Sequence, residues 1–133
     1  SFSPDSRFLA TGASDRTVLI WNVETQQVDA TLAGHNDPVE YLSFSPDGRV
    51  LASSAYEGSV HIWSLDSARE LLVIPVPFEY ITNLVFVPDG RSLLVSGSRR
   101  EQEDGDEHTV SAVLFYSAGD PILHGDTFRF QLP

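Results

Sequence analysis

Apolar and polar positions alternate in short bursts along this chain, and the bursts recur at a fixed interval. Val39, Leu42 and Phe44 are spaced by three and then two residues, and Ile81, Leu84 and Phe86 repeat that spacing. A regular strand alternates throughout, so the extra residue predicts a bulge early in each of these strands. Val50 to Ser54 predict a second strand. Val60-His61-Ile62-Trp63, rich in β-branched and aromatic side chains, predict a third, and Arg69 to Ile74 a fourth. Between the first two, Ser45-Pro46-Asp47-Gly48 supplies a fixed φ, a turn-forming carboxylate and a glycine, so the chain reverses there. Glu57-Gly58 marks the next turn and Asp66-Ser67 the one after it.

The four-strand unit is repeated. Prolines stand at 4, 46 and 88, a constant step of 42, and Phe2, Phe44 and Phe86 keep the same step, as do Leu9, Leu51 and Leu93. Trp21 is followed at the same interval by Trp63. A period in the low forties with four strands per period is the signature of a propeller blade. The phase holds to Leu93 and is then interrupted by the charged stretch Arg99 to His108. Beyond it Val113-Leu114-Phe115-Tyr116-Ser117 matches Val18-Leu19-Ile20-Trp21-Asn22, which puts Tyr116 at the tryptophan position after an insertion of 11 residues.

The expected fold is therefore all-β, about three four-stranded antiparallel blades. Blade 1 spans residues 1–33 with its first strand mostly missing. Blade 2, residues 34–76, is complete. Blade 3, residues 77–124, is degenerate and carries the acidic insertion 99–109, and residues 125–133 begin a further strand or form a C-terminal edge. Rings of this kind typically need about four to eight blades. The chain is thus expected to be a piece of a larger protein, and its open strand edges are expected to make it self-associate in isolation.

Charge narrows the list of partners. Nineteen acidic against eight basic side chains give a net charge of -11, which repels a phosphate backbone and argues against nucleic acid. Without cysteine the chain has neither disulfides nor thiolate zinc ligands. No apolar run reaches membrane-spanning length, since Leu71-Leu72-Val73-Ile74 is stopped by Pro75 and Pro77, and a cytoplasmic location is expected. His35, His61, His108 and His124 lack the paired spacing of a zinc site. Glu101 to Glu107 holds five carboxylates, but only Asp104-Gly105-Asp106 hints at the alternating ligands of a calcium loop. No metal and no cofactor is expected. The acidic stretch reads as a long solvated loop on which Arg99 and Arg100 fold back, available to a basic partner.

Gly34-His35, Val39, Phe44-Ser45-Pro46-Asp47-Gly48, Leu51-Ala52-Ser53 and Trp63, in that order and at one fixed period, resemble a WD40 repeat. The likeness covers residues 1 to about 98 well and 110 to 124 loosely. It implies that a His, a Ser or Thr, an Asp and the Trp of each blade form a hydrogen-bonded chain holding the loops of one face. Carried over by position, this structural network comprises Thr11, Asp15 and Trp21 in the first repeat. In the second it comprises His35, Ser53 and Trp63, with Glu57 in place of Asp. Pro77, Val95 and Tyr116 occupy the corresponding positions of the third, where the network should be absent.

A serine, a histidine and a carboxylate also make up a catalytic triad. A buried indole N–H that needs an acceptor explains the same residues without catalysis, so no catalytic residue is assigned. The resemblance further implies that partners dock where the loops between blades meet those between second and third strands. The contact candidates there are Ser14, Arg16, Pro38, Glu40, Tyr56, Tyr80 and Thr82, with most weight on the two tyrosines because exposed aromatics concentrate interface energy. The expected function is a noncatalytic protein–protein interaction scaffold for a protein or peptide, a basic partner among those expected. The rival is a propeller that supports or gates a multidomain enzyme such as a hydrolase or a signalling ATPase or kinase.

Overall fold

The computed structural model describes residues 1–56, 58–103, 106–117 and 128–130, and all regular structure within them is β-strand. Three antiparallel meanders follow one another. The first contains β1 (Phe8–Gly12), β2 (Thr17–Asn22) and β3 (Gln27–Ala33). The second contains β4 (Val39–Phe44), β5 (Val50–Ala55), β6 (Ser59–Ser64) and β7 (Arg69–Pro75). The third contains β8 (Tyr80–Phe86), β9 (Ser92–Glu103), β10 (Asp106–Ser117) and β11 (Phe128–Phe130).

The repeated residues take equivalent places. Leu9 pairs with Trp21, Leu51 with Trp63 and Leu93 with Tyr116. The bulges forecast by the broken alternation fall between Val39 and Tyr41 and between Ile81 and Asn83, leaving Glu40 and Thr82 as the extra residues. A second pair of bulges carried no apolar signal. It lies in the fourth strands, where Asp29 and Leu71 are the extra residues opposite Ile20/Trp21 and Ile62/Trp63.

Each Pro-Asp turn is built alike. Ser45 Oγ donates to Asp47 Oδ1 (2.6 Å) and accepts from Val50 N (3.0 Å), while Arg49 N donates to Asp47 Oδ1 (3.1 Å). Ser3 and Asp5 reproduce this arrangement, and Asp89 accepts from Arg91 N, Ser92 N and the Ser92 hydroxyl. The turn needs a left-handed residue, supplied by Gly48 (φ 70) and Gly90 (φ 68) but by Ser6 (φ 61) in the first repeat.

Apolar layers lie between the sheets. Val18, Ile20 and Leu32 meet Phe44, Leu51 and Trp63 between the first and second. Ala52, Val60 and Ile74 meet Phe78, Ile81, Leu84, Leu93 and Val95 between the second and third. Polar clips join the same sheets: Val39 N donates to the Ala13 carbonyl (3.3 Å) and Phe86 N to Ser43 Oγ (3.0 Å).

One expectation about the third repeat is corrected. The insertion is not a solvated loop: it lengthens the β9–β10 hairpin, whose pairing runs unbroken from Ser92↔Ser117 to Glu103↔Asp106. Each strand has 12 residues where β5 and β6 have 6, and two residues separate β9 from β10 where three separate β5 from β6, which accounts for the 11 inserted residues. Paired backbone groups are satisfied within the hairpin, so a polar segment is extended without a core beneath it. Within residues 125–133, expected to begin a further strand or form a C-terminal edge, β11 pairs with β10 as the edge strand of the third sheet.

Candidate functional site

In an antiparallel meander successive turns alternate between the two ends of a sheet. The β1–β2 and β5–β6 turns and the connections leading into β4 and β8 therefore share one end, and the contact candidates sit on them. Ser14 and Arg16 are exposed on the β1–β2 turn, with Arg16 at φ 73 where the β5–β6 turn has Gly58 at φ 71. Pro38 is half-buried just before β4, and Thr82, on its bulge, shares a hydrogen bond with Ser96 (3.1 Å).

Glu40, Tyr56 and Tyr80 come together at this end. Their placement follows from local structure: the bulge turns Glu40 out of the β4 alternation, and Tyr56 opens the tight turn after β5. The Tyr56 hydroxyl donates to the Glu40 carboxylate, and this hydrogen bond and the carboxylate's charge raise the Tyr56 pKa above the usual phenol value. Tyr41 and Tyr80 add smaller electrostatic contributions in the same direction. Tyr56 and Tyr80 are 53% and 52% exposed, so two aromatic side chains and a carboxylate face solvent. At the edge of this group the Arg100 guanidinium binds Glu79 (3.0 Å), and Arg99 folds back on Glu101. Both arginines at the base of the hairpin are thus neutralised within the chain.

Beneath the surface lies a polar network. Trp63 Nε1 donates to Ser53 Oγ (2.7 Å), which also shares a hydrogen bond with His35 Nε2 (2.6 Å), and Trp63, Ser53 and His35 are all buried. In the first repeat Trp21 Nε1 donates to Thr11 Oγ1 (2.8 Å). Asp15 serves its own turn, accepting from Thr17 N (3.0 Å) and Thr17 Oγ1 (2.6 Å), and makes no bond to Thr11 among the described residues. The Thr17 hydroxyl and then its amide hold the Asp15 carboxyl below the usual carboxylate range. Glu57 lies outside the described residues, as does the side chain of Tyr116. Val95 is fully buried in the apolar layer of the third repeat.

His61 belongs to this region although the resemblance does not point to it. It follows the network along β6, two residues before Trp63 and therefore on the same face of the strand. Its ring lies 3.9 Å from His35 and is stacked on Trp63 at 5.7 Å between centroids, and its Nδ1 meets Glu70 Oε2 at 2.8 Å. The period-two spacing of His61 and Trp63 was the available signal. Among the described residues no group of three or more His, Cys, Asp or Glu side chains is placed to hold a metal ion. No helix among them is long and apolar enough to cross a membrane.

Residues 1–22 and 26–64 match the family described as WD domain, G-beta repeat. A stretch of 38 residues is 47% identical to the general transcriptional corepressor TUP1 of Saccharomyces cerevisiae, covering 29% of this chain and 5% of that protein. Among solved structures, hydrazine synthase of Kuenenia stuttgartiensis superposes with a TM-score of 0.74 at 23% identity, over 89% of this chain and 31% of that one. At that identity the likeness is one of fold. The Cps50 (Swd1) β-propeller domain of Myceliophteria thermophila gives a TM-score of 0.69 at 25% identity, over 100% of this chain and 36% of that one. The chain thus spans only a small part of each of these proteins. With its phased turns, its Trp–Ser–His hydrogen bonds and its three antiparallel sheets, the chain is a β-propeller segment whose residues 1–64 carry WD40 repeats.

Proposed function

We propose that this propeller segment is a noncatalytic scaffold that binds a protein or peptide partner through the end carrying Tyr56, Tyr80 and Glu40. The observation that carries the reading is the pair of half-exposed tyrosines beside a carboxylate set on a bulge. Aromatic side chains in this setting contribute contact area at small entropic cost, and the carboxylate favours a basic group, so the partner surface contains Lys or Arg framed by apolar groups. Ser14, Arg16, Pro38 and Thr82 form the surrounding contacts. Charge steers arrival and the tyrosines supply most of the affinity.

The buried polar residues are assigned a structural role. Ser53 has no exposed surface, and its hydroxyl oxygen already accepts the indole proton, so a substrate carbonyl has no approach to it. A cytoplasmic location belongs to the same proposal. The test is selection from a displayed peptide library, with the Tyr56→Ala/Tyr80→Ala chain as counter-selection. Enrichment of peptides with a basic residue beside apolar ones, lost in the double variant, is expected. Enrichment that is identical on both chains, or none on either, removes the assignment of this end.

A further inference from the structure

A second crevice opens at the opposite end of the blades, between the first and second sheets. The β3 strand contributes Asp29, Ala30 and Leu32, and Phe8 and Ile20 lie beside them. The β4–β5 and β6–β7 turns of the second sheet contribute Gly48, Leu65, Asp66 and Ala68. These turns alternate with the β5–β6 turn that carries Tyr56, so the crevice and the tyrosines occupy opposite ends of the same blade. Its floor is continuous with the apolar layer between the sheets, where Ile20 and Leu32 are buried and Phe8, Ala30 and Leu65 pack against them. The cavity volume is about 150 Å³.

Two exposed residues with carboxylates line it, and neither Asp29 nor Asp66 makes a side-chain hydrogen bond or ion pair among the described residues. Asp29 is the extra residue of the β3 bulge, a position where the ladder releases one side chain from the regular alternation. The equivalent bulge residue of β7 is Leu71, so the carboxylate is particular to this crevice and not a demand of the bulge itself. The turn carrying Asp66 is held by Ala68 in the left-handed conformation (φ 51), and its methyl leaves the lip low.

We propose that this crevice takes a lysine side chain from a basic segment of a partner protein. A volume this small lies below that of a typical small-molecule site, which runs to roughly 300 Å³ or more, and suits a single side chain. A lysine combines a four-carbon apolar stem, matching Ile20, Ala30, Leu32 and Leu65, with a compact ammonium that can lie between carboxylates supplied by two different elements. Arginine's planar fork instead favours both oxygens of one carboxylate. The site does not depend on the tyrosine end and can be tested separately from it.

The experiment uses n-butylammonium as the probe and 1-butanol as its neutral counterpart, titrated into the isotope-labelled chain and followed by NMR at Leu32, Leu65, Ala30 and Ala68. n-Butylammonium should shift these signals saturably, whether or not Tyr56 and Tyr80 also respond. Butanol should bind roughly tenfold more weakly, as should n-butylammonium on the Asp29→Asn/Asp66→Asn chain, because each exposed charge pair is worth a few-fold. Both carboxylates lack partners, so the double variant should keep its thermal stability, and the probe comparison on the unaltered chain does not rely on it. Equal binding of butanol and n-butylammonium would make the crevice a plain apolar recess and overturn the proposal. So would undiminished n-butylammonium binding by the double variant, or no saturable shift at all.

Discussion

The second and third blades perform the same task, tying the connection that enters the blade to its sheet, with opposite chemistry. In the second, His35 on that connection reaches the Ser53 hydroxyl, which holds the Trp63 indole. At the steps of 42 the third blade has Pro77 for His35, Phe78 for Asn36, Val95 for Ser53 and Gly97 for Ala55. Phe78 is buried, and a Cβ at Gly97 would lie 2.5 Å from its ring and 2.5 Å from the Tyr80 carbonyl, so the missing side chain is what lets the ring seat. A polar latch has been replaced by an apolar plug. The comparison teaches that the blade geometry requires an anchored connection but does not dictate the chemistry of the anchor. It also explains why the degenerate repeat retains the sheet.

The strongest way to break this comparison is to remove the plug. Phe78→Ala should destabilise the chain by about 3 to 5 kcal/mol, the range for deleting a buried aromatic ring, read as a shift of the denaturant midpoint. A loss under about 1 kcal/mol would mean the third blade is anchored elsewhere. Removing the latch should cost less: Ser53→Ala leaves the indole N–H of buried Trp63 without its acceptor, for about 1 to 3 kcal/mol. An indole proton of Trp63 that exchanges with solvent no faster in the variant would contradict the assignment.

The next residue sharpens the point because its sign is reversed. Ser54 is fully buried on the other face of β5, and its Oγ has no hydrogen-bond partner among the described residues. Ser54→Ala should therefore leave stability unchanged or raise it by up to about 1 kcal/mol, since an orphaned hydroxyl is removed with no partner lost. Thermal melts of the two alanine variants side by side distinguish neighbours that are identical in residue type.

The smallest effect expected is acid sensitivity of the turns, which all three blades share. The Ser45 hydroxyl first, and then the Arg49 amide, hold the Asp47 carboxyl below the usual carboxylate range. Asp5 is lowered by the Ser3 hydroxyl and the Arg7 amide, and Asp89 by the Arg91 amide and the Ser92 hydroxyl. A depressed folded-state pKa means the unfolded chain takes up protons first as pH falls. The stabilisation is complete above the ordinary value near about 3.9 and is lost as pH drops through the lowered one. Melting temperatures recorded from neutral pH to below that range should fall less steeply for Asp47→Asn than for the unaltered chain.

Most of the fold was legible because the repeat writes its turns and core in the same places three times. The prolines at 4, 46 and 88 and the leucines at 9, 51 and 93 set the register, and the three-then-two spacing of Val39, Leu42 and Phe44 announced a bulge. What stayed hidden lacks an apolar pattern. The long hairpin is stabilised by backbone pairing in a charged segment, where alternation carries no hydrophobic signal, so it read as a loop. Asp29 and Leu71 sit on bulges that polar or uniformly apolar strands do not reveal. Gln26 and Ala68 adopt positive φ without the glycine that advertises it. At the candidate site Trp63, Ser53 and His35 were legible through the resemblance, whereas the approach of His61 to His35 depends on a contact between separate elements.

The central claim is that the buried polar residues hold the blade while the exposed tyrosines do the binding. The most direct test is the equilibrium affinity of a selected basic peptide for Ser53→Ala and for Tyr56→Ala/Tyr80→Ala, measured below the unfolding transition of both. The account predicts that Ser53→Ala, though less stable, binds within about twofold of the unaltered chain. The tyrosine variant, undiminished in stability, should lose at least about tenfold in affinity, as expected where aromatic anchors dominate. Binding lost on Ser53→Ala while the folded state persists, together with full affinity of the tyrosine variant, would contradict it.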